Sequence, residues 1–200
     1  MDKSERELFN SIAPIYGMFF NHQVKYYKKI LDRAKNVVDI FKYENIIDVG
    51  CGTGALCYVL NKKGLKVTGI DAAKKMINIA EKNLHNNKEI DLVQASVLER
   101  IPFDEKSFDI AISSYVLHGM KNNERQMMYA EMSRIARHMV VFHDYNDNRA
   151  FYINVVEWLE GGDYFNFIKN AKTEMAESFK KVQVVNVDSS AAWYICAPYD

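Results

Sequence analysis

From about residue 45 onward, short apolar runs alternate with segments of helical spacing, and this alternation limits the fold more than any other feature. The runs fall at 45–49, 65–70, 91–95, 108–113 and 139–143. Between them, residues 55–63, 73–84 and 123–136 repeat apolar side chains every three or four positions, as at Met76, Ile79, Ala80 and Leu84. Strand and helix taking turns imply βαβ units around a parallel sheet. Helices cover such a sheet on both faces, which is why its strands are apolar throughout instead of at alternate positions.

The rest of the chain departs from that rhythm. Residues 149–160 and 163–179 read as helices around Gly161-Gly162, and 182–187 and 191–197 as strands joined by Asp188-Ser189-Ser190. So short a connection makes an antiparallel hairpin. The expected fold is therefore α/β, a mostly parallel seven-stranded sheet with one antiparallel strand near its end. Residues 4–40 read as helices, with Pro14 interrupting the aromatic-rich stretch 11–20. A chain of 200 residues suits a single domain. Its expected parts are a helical lid (1–40), a core (45–145), a helical insertion (146–180) and the hairpin (181–200).

Charge narrows the partners. Lys plus Arg and Asp plus Glu each total 26, so there is no basic excess of the kind that neutralises phosphates, and no nucleic-acid partner is expected. The first residues carry charges of both signs without a signal-type apolar run, and no stretch reaches the roughly 20 apolar residues of a membrane span. Cys51, Cys57 and Cys196 form no Cys-x-x-Cys pair, which argues against both a disulfide framework and structural zinc. Reduced thiols in a cytoplasmic protein without a metal are expected.

The chemistry centres on Asp48-Val49-Gly50-Cys51-Gly52-Thr53-Gly54, between the first strand and a helix. Glycine accepts positive φ and lets a ligand touch the backbone, while the following helix offers N–H groups and the positive end of its dipole. That geometry suits a pyrophosphate or an amino-acid carboxylate equally. Gly50, Gly52 and Ala55 also satisfy the dinucleotide pattern Gly-x-Gly-x-x-Ala, so a nicotinamide-dependent reductase stays open. Asp71 ends the second strand at ribose distance from the turn, although an aspartate there also serves as a helix cap.

Four segments in order resemble the class I S-adenosylmethionine (SAM)-dependent methyltransferases. Ile46-Ile-Asp-Val-Gly-Cys-Gly-Thr-Gly-Ala-Leu56 is similar to their first motif, and Val67-Thr-Gly-Ile-Asp71 to their acidic second-strand end. Ile101-Pro-Phe-Asp-Glu-Lys-Ser-Phe-Asp-Ile110 and Ser113-Ser-Tyr-Val-Leu-His118 resemble the approach to the fourth strand and the loop after it. Phe9-Asn-Ser-Ile-Ala-Pro-Ile-Tyr16 resembles the opening segment of the ubiquinone/menaquinone-biosynthesis-type branch. The resemblance implies a Rossmann-like fold with SAM as cofactor. It implies that Asp48, Gly50 and Gly52 hold the methionine part, that Cys51 in the same turn also borders the cofactor, that Asp71 holds the ribose, and that Ala72 and Met76 lie along the adenine. The Val97 backbone would reach the adenine amino group, where Ser96 replaces the family's usual acid. The Ser113 backbone would approach the methionine amine, and Tyr16 would close over the cofactor. The family's Lys-Pro-Gly-Gly before the fifth strand is missing, so the turn at 134–139 must be shorter.

Methyl transfer needs an aligned nucleophile, a dry pocket and, for a protonated acceptor, a base. Tyr115 and His118 follow the fourth strand, and His143, Asp144 and Tyr145 end the fifth. His143, with a carboxylate beside it in sequence, is the expected base, and His118 reads as a packing residue. Trp158, Tyr164, Phe165 and Phe167 read as core or as an acceptor lid, facing Tyr16, Phe19, Phe20 and Tyr26. Ser113-Ser114-Tyr115-Val116 is not the Asn/Asp-Pro-Pro-Tyr segment of amino-methylating DNA enzymes, and no cysteine stands where a cytosine-C5 enzyme would need one. A small-molecule acceptor is expected, with a non-catalytic SAM-binding regulator as the other reading.

Overall fold

The computed structural model describes residues 3–87, 89–148 and 163–199. Two helices, α1 (Lys3–Met18) and α2 (Phe20–Ala34), precede the alternating core. That core runs β1 (Asn45–Val49), α3 (Ala55–Lys62), β2 (Lys66–Asp71), α4 (Lys74–Leu84) and β3 (Ile90–Gln94). It continues with β4 (Phe108–Ser114), α5 (Asn122–Ile135) and β5 (Ala136–Tyr145), and the chain ends with α6 (Tyr164–Ser178), β6 (Lys181–Asn186) and β7 (Ala191–Ala197).

The seven strands lie in the order β3-β2-β1-β4-β5-β7-β6. β1 runs parallel to β2 and β4, and β4 parallel to β5. β7 enters antiparallel between β5 and β6, with His143 opposite Trp193. All of β4 is buried, as expected of a central strand covered on both faces. On one face Ile46, Ile110 and Trp193 pack with Leu31 of α2, Leu60 of α3 and Ala80 of α4. On the other, Ile47, Ala111 and Phe142 pack with Tyr129 and Met132 of α5 and Phe167 and Met175 of α6. The order of connection reverses between β1 and β4, and open α/β sheets bind ligands at the carboxyl ends of the strands at such a switch.

Two expectations change. Pro14 does not interrupt the first helix, which continues to Met18. The break falls at Phe19, whose N–H closes a turn onto the Tyr16 carbonyl at 3.1 Å. Proline removes one helical hydrogen bond, and the packing of Ala13 against Ala73 and Met76 holds this stretch of α1 in place. β5 starts at Ala136, directly after α5, with no intervening turn. Exposed Arg137 and His138 disguise its first turn-free residues, and Arg137 Nη1 bonds Asp109 Oδ1 at 2.6 Å. The expected helix 149–160, with Trp158 and Gly161-Gly162, lies outside the described residues.

Candidate active site

The glycine turn crosses the switch point. The N–H groups of Gly50 and Cys51 both donate to the Ile70 carbonyl, at 2.8 and 2.9 Å, which folds the turn over the end of β2. Gly50 and Gly52 take φ of 78° and 54°, in the left-handed region that favours glycine. Their surroundings differ. A Cβ on Gly50 would lie 2.6 Å from Val116 Cγ2, whereas a Cβ on Gly52 would meet nothing within 4 Å. Gly50 is thus a packing glycine, and Gly52 borders open space. Thr53 ties the turn to α2 through Gln23 Oε1 at 3.2 Å, and to α4 through Asn83, whose Nδ2 donates to the Thr53 carbonyl at 3.0 Å.

Two carboxylates flank the turn. Asp48 is buried at the end of β1, and its Oδ2 accepts the Cys57 thiol at 3.2 Å. Its Oδ1 has no partner among the described residues. Burial pushes the Asp48 carboxyl up to about 7. Buried acceptors are nearly always satisfied, so an orphaned carboxylate oxygen marks a place for a donor from outside the chain. Asp71 accepts the Gly52 N–H at 2.9 Å on Oδ2 and the Ala73 N–H at 2.8 Å on Oδ1. It therefore both braces the turn and leads the chain into α4. Each oxygen has a second lone pair, so the carboxylate keeps capacity for two hydroxyl donors. An ammonium at Asp48, a chain along Gly52 and a ribose at Asp71 fit what the residues offer SAM.

The other expected cofactor residues surround this centre. Ser113, buried in β4, donates its hydroxyl to the Val49 carbonyl at 2.7 Å and so joins β4 to the start of the turn. Ala72 is half-buried behind Asp71. Met76 is buried beneath α1 in a small cluster with Ala13 and Ala73. Ser96 and Val97 follow β3, where the Ser96 hydroxyl accepts the Leu98 N–H at 3.3 Å. Tyr16 stands exposed near the end of α1.

A second cluster forms where β4 and β5 end. Neighbouring residues of a strand point to opposite faces, and this separates His143 from Asp144. His143 is buried, with Nδ1 3.2 Å from Ser114 Oγ and Nε2 3.3 Å from the Tyr26 hydroxyl. Burial lowers its pKa to about 4, so it is neutral at neutral pH. The carboxylate beside it in sequence serves a different histidine, because Asp144 Oδ1 lies 2.8 Å from His118 Nδ1. Asp144 also accepts the N–H groups of Leu117 at 3.0 Å and Tyr145 at 2.8 Å, which fixes its orientation. With Nδ1–H directed at Asp144, the basic nitrogen of His118 is Nε2.

Tyr115 links the two arrangements. It adopts φ of 54°, a strained backbone for a large side chain, immediately after β4. Its hydroxyl lies 2.6 Å from that of Tyr26 on α2, and burial pushes its phenol well above the ordinary tyrosine range. Its ring lies 5.2 Å from Tyr145, which lies 4.9 Å from His118 and 5.2 Å from Tyr164. Phe165 is exposed, and Phe167 belongs to the core. Sequence reasoning missed Tyr27, whose hydroxyl lies 3.0 Å from Ser114 Oγ, and the His118–Asp144 pair. Only the placement of both groups after strand ends signalled the pair. Among the described residues, no three His, Cys, Asp or Glu side chains gather as metal ligands.

The strand order with its antiparallel β7 is that of the Rossmann-like methyltransferase fold. A family model described as a methyltransferase domain matches residues 46–138. The chain is 30% identical over 150 residues to the ubiquinone/menaquinone biosynthesis C-methyltransferase UbiE of Campylobacter jejuni, an alignment covering 68% of this chain and 60% of that protein. It thus spans about three fifths of that relative's length. A putative S-adenosyl-L-methionine-dependent methyltransferase of Methanococcus maripaludis superposes with a TM-score of 0.71 at 19% identity, covering 96% of this chain and 94% of the other. The O-methyltransferase NcsB1 of neocarzinostatin biosynthesis, in complex with SAM and 2-hydroxy-5-methyl naphthoic acid, superposes with a TM-score of 0.77 at 15% identity, covering 94% of this chain and 58% of the other. The matched family model and this relative from Campylobacter are both described as methyltransferases, and the chain is similar to the class I SAM-dependent enzymes and, among them, to the ubiquinone/menaquinone branch.

Proposed function

We propose that this protein transfers a methyl group from SAM to a small organic acceptor. The observation that carries the reading is the orphaned, buried Oδ1 of Asp48 beside the open side of Gly52, at the switch point of a methyltransferase fold. Asp48 takes the ammonium of the cofactor's methionine, Gly50, Cys51 and Gly52 line that group, and Asp71 takes the ribose. Ala72, Met76, Ser96 and Val97 border the adenine, Ser113 backs the amine, and Tyr16 covers the mouth. SAM supplies a methyl group activated on a sulfonium cation.

The acceptor site is the cluster at the ends of β4 and β5. Tyr115 and Tyr145 offer aromatic faces, which also suit a neighbouring cation. Asp144 orients His118, and His118 Nε2 takes the acceptor's proton. His143, neutral and bonded to two hydroxyl groups, holds Tyr26 and Ser114 in place. The C-methyltransferase name of the Campylobacter relative and the naphthoic acid held by NcsB1 support a small organic acceptor. The balanced charge argues against a nucleic-acid acceptor, and three free, buried cysteines support residence in the reducing cytoplasm.

Incubating the protein with methyl-labelled SAM and a total small-molecule extract tests this reading. Label is expected in the solvent-extractable fraction. Label confined to acid-precipitated protein or nucleic acid, or transferred nowhere, refutes it.

A further inference from the structure

The corner between α1 and α2 presents large apolar side chains to solvent. Ile15, Met18 and Phe19 are 56%, 83% and 55% exposed. The other exposed large apolar side chains among the described residues, such as Met127 and Phe165, are scattered along the chain, whereas these fall within five consecutive residues, and exposed apolar side chains gathered at one corner mark a contact surface. This corner lies beside the cofactor crevice. Gly17 packs on Ile79 of α4, and Gln23, one turn into α2, bonds Thr53 of the glycine turn.

Charge indicates what covers it. The solvent face of α2 continues from the corner through His22, Lys25 and Lys28, all exposed. Neither Lys25 nor Lys28 makes an ion pair among the described residues. The nearby acids are engaged elsewhere, Asp32 with Lys63 at 3.0 Å and Asp188 with Lys29 and Arg33 at 3.2 and 2.9 Å. An apolar tip flanked by unpaired lysines matches the interfacial region of an anionic bilayer, with side chains among the acyl chains and ammonium groups at the headgroups. A second copy of this chain fits less well. Three side chains of roughly 200 Å² each, exposed as above, offer about 400 Å², half of the roughly 800 Å² per partner that a stable dimer buries. A basic face would also meet its own like charge across a two-fold axis.

We propose that the α1–α2 corner docks the protein on anionic lipid surfaces, with Met18 and Phe19 inserted and Lys25 and Lys28 at the headgroups. Among the described residues, no helix is long and apolar enough to cross a membrane, so the contact is peripheral. Docking turns the mouth of the crevice toward the bilayer.

Co-sedimentation with phosphatidylcholine vesicles, with and without phosphatidylglycerol, tests the proposal. The full chain is expected to pellet with the anionic vesicles and, at low salt, at least tenfold less with neutral ones. Met18→Ser/Phe19→Ser and, separately, Lys25→Glu/Lys28→Glu are each expected to weaken binding at least tenfold. Both double variants should keep the wild-type circular dichroism spectrum and affinity for S-adenosylhomocysteine, so that failure of docking and failure of the methyltransferase reading are measured apart. Absence of vesicle binding, binding unaffected by either variant, or a concentration-dependent dimer that Met18→Ser/Phe19→Ser dissolves would each overturn it.

Discussion

Alanine at Gly50 and alanine at Gly52 should fail in different ways. Both positions hold positive φ, where a Cβ costs about 1–2 kcal/mol, offset in part by about 0.4–1 kcal/mol because alanine restricts the unfolded chain. At Gly52 that is the whole effect, because the new methyl meets no atom within 4 Å. At Gly50 the methyl must also displace Val116, 2.6 Å away, and overpacking of this kind adds about 1–3 kcal/mol. In a chain of this length about 1 kcal/mol moves Tm by about 2–4 °C. At the central values, about 0.8 kcal/mol for Gly52→Ala and about 2.8 kcal/mol for Gly50→Ala, Tm should fall by about 2–3 °C and about 6–11 °C respectively. The order reverses for binding. The Gly52 methyl projects into the space assigned to the cofactor, so S-adenosylhomocysteine affinity should fall at least about tenfold, or about 1.4 kcal/mol. Differential scanning calorimetry and isothermal titration of the two variants provide the comparison. Equal losses of Tm, or full affinity in Gly52→Ala, would show that the turn is misread.

Stability without ligand should respond to pH through two buried groups with opposite signs. Asp48, raised from 3.8 to about 7, holds its proton better in the folded state, so its contribution is full at low pH and is lost as pH rises through 7, about 4 kcal/mol in all. His143, lowered from 6.5 to about 4, contributes above 6.5 and loses about 3 kcal/mol as pH falls through 4. Urea titrations from pH 4 to 7 should therefore find Asp48→Asn losing stability toward acid and His143→Gln losing it toward neutrality; identical profiles would contradict the assignment. Glu174 accepts Arg125 Nε and Nη2 at 2.8 and 2.7 Å in the core between α5 and α6, so Glu174→Gln should cost about 3 kcal/mol in urea unfolding. Replacing His118 by Gln should lower kcat by about 10²–10⁴ without changing S-adenosylhomocysteine affinity, and an equal loss in both would make it a binding residue.

Where local chemistry decides structure, the sequence was readable. β1 at 45–49 and β7 at 191–197 stand where their apolar runs place them, and the glycine turn and Asp71 lie together as the βα spacing implies. The start of β5 lies three residues before its apolar run because Arg137 and His138 break the apolar pattern while still belonging to the strand. The pairing of Asp144 with His118 was hidden for a different reason. These groups are far apart in sequence, and only the alternation of β5 and the one-turn helix after β4 bring them to 2.8 Å. A sequence neighbour at the end of a strand points the opposite way, which is why Asp144 does not serve His143. Tyr27 and Ser114 carry no local motif, and their hydrogen bond depends on α2 crossing the sheet.

The central claim is that the turn from Asp48 to Gly54, braced by Asp71, holds SAM. Calorimetric titration of S-adenosylhomocysteine into the wild-type protein and Asp71→Ala, with NADH as the rival ligand, tests it most directly. The wild type should bind S-adenosylhomocysteine saturably and one-to-one, Asp71→Ala should lose that binding, and NADH should give no heat. Binding of NADH alone, or S-adenosylhomocysteine affinity unchanged by the loss of the Asp71 carboxylate, would contradict it.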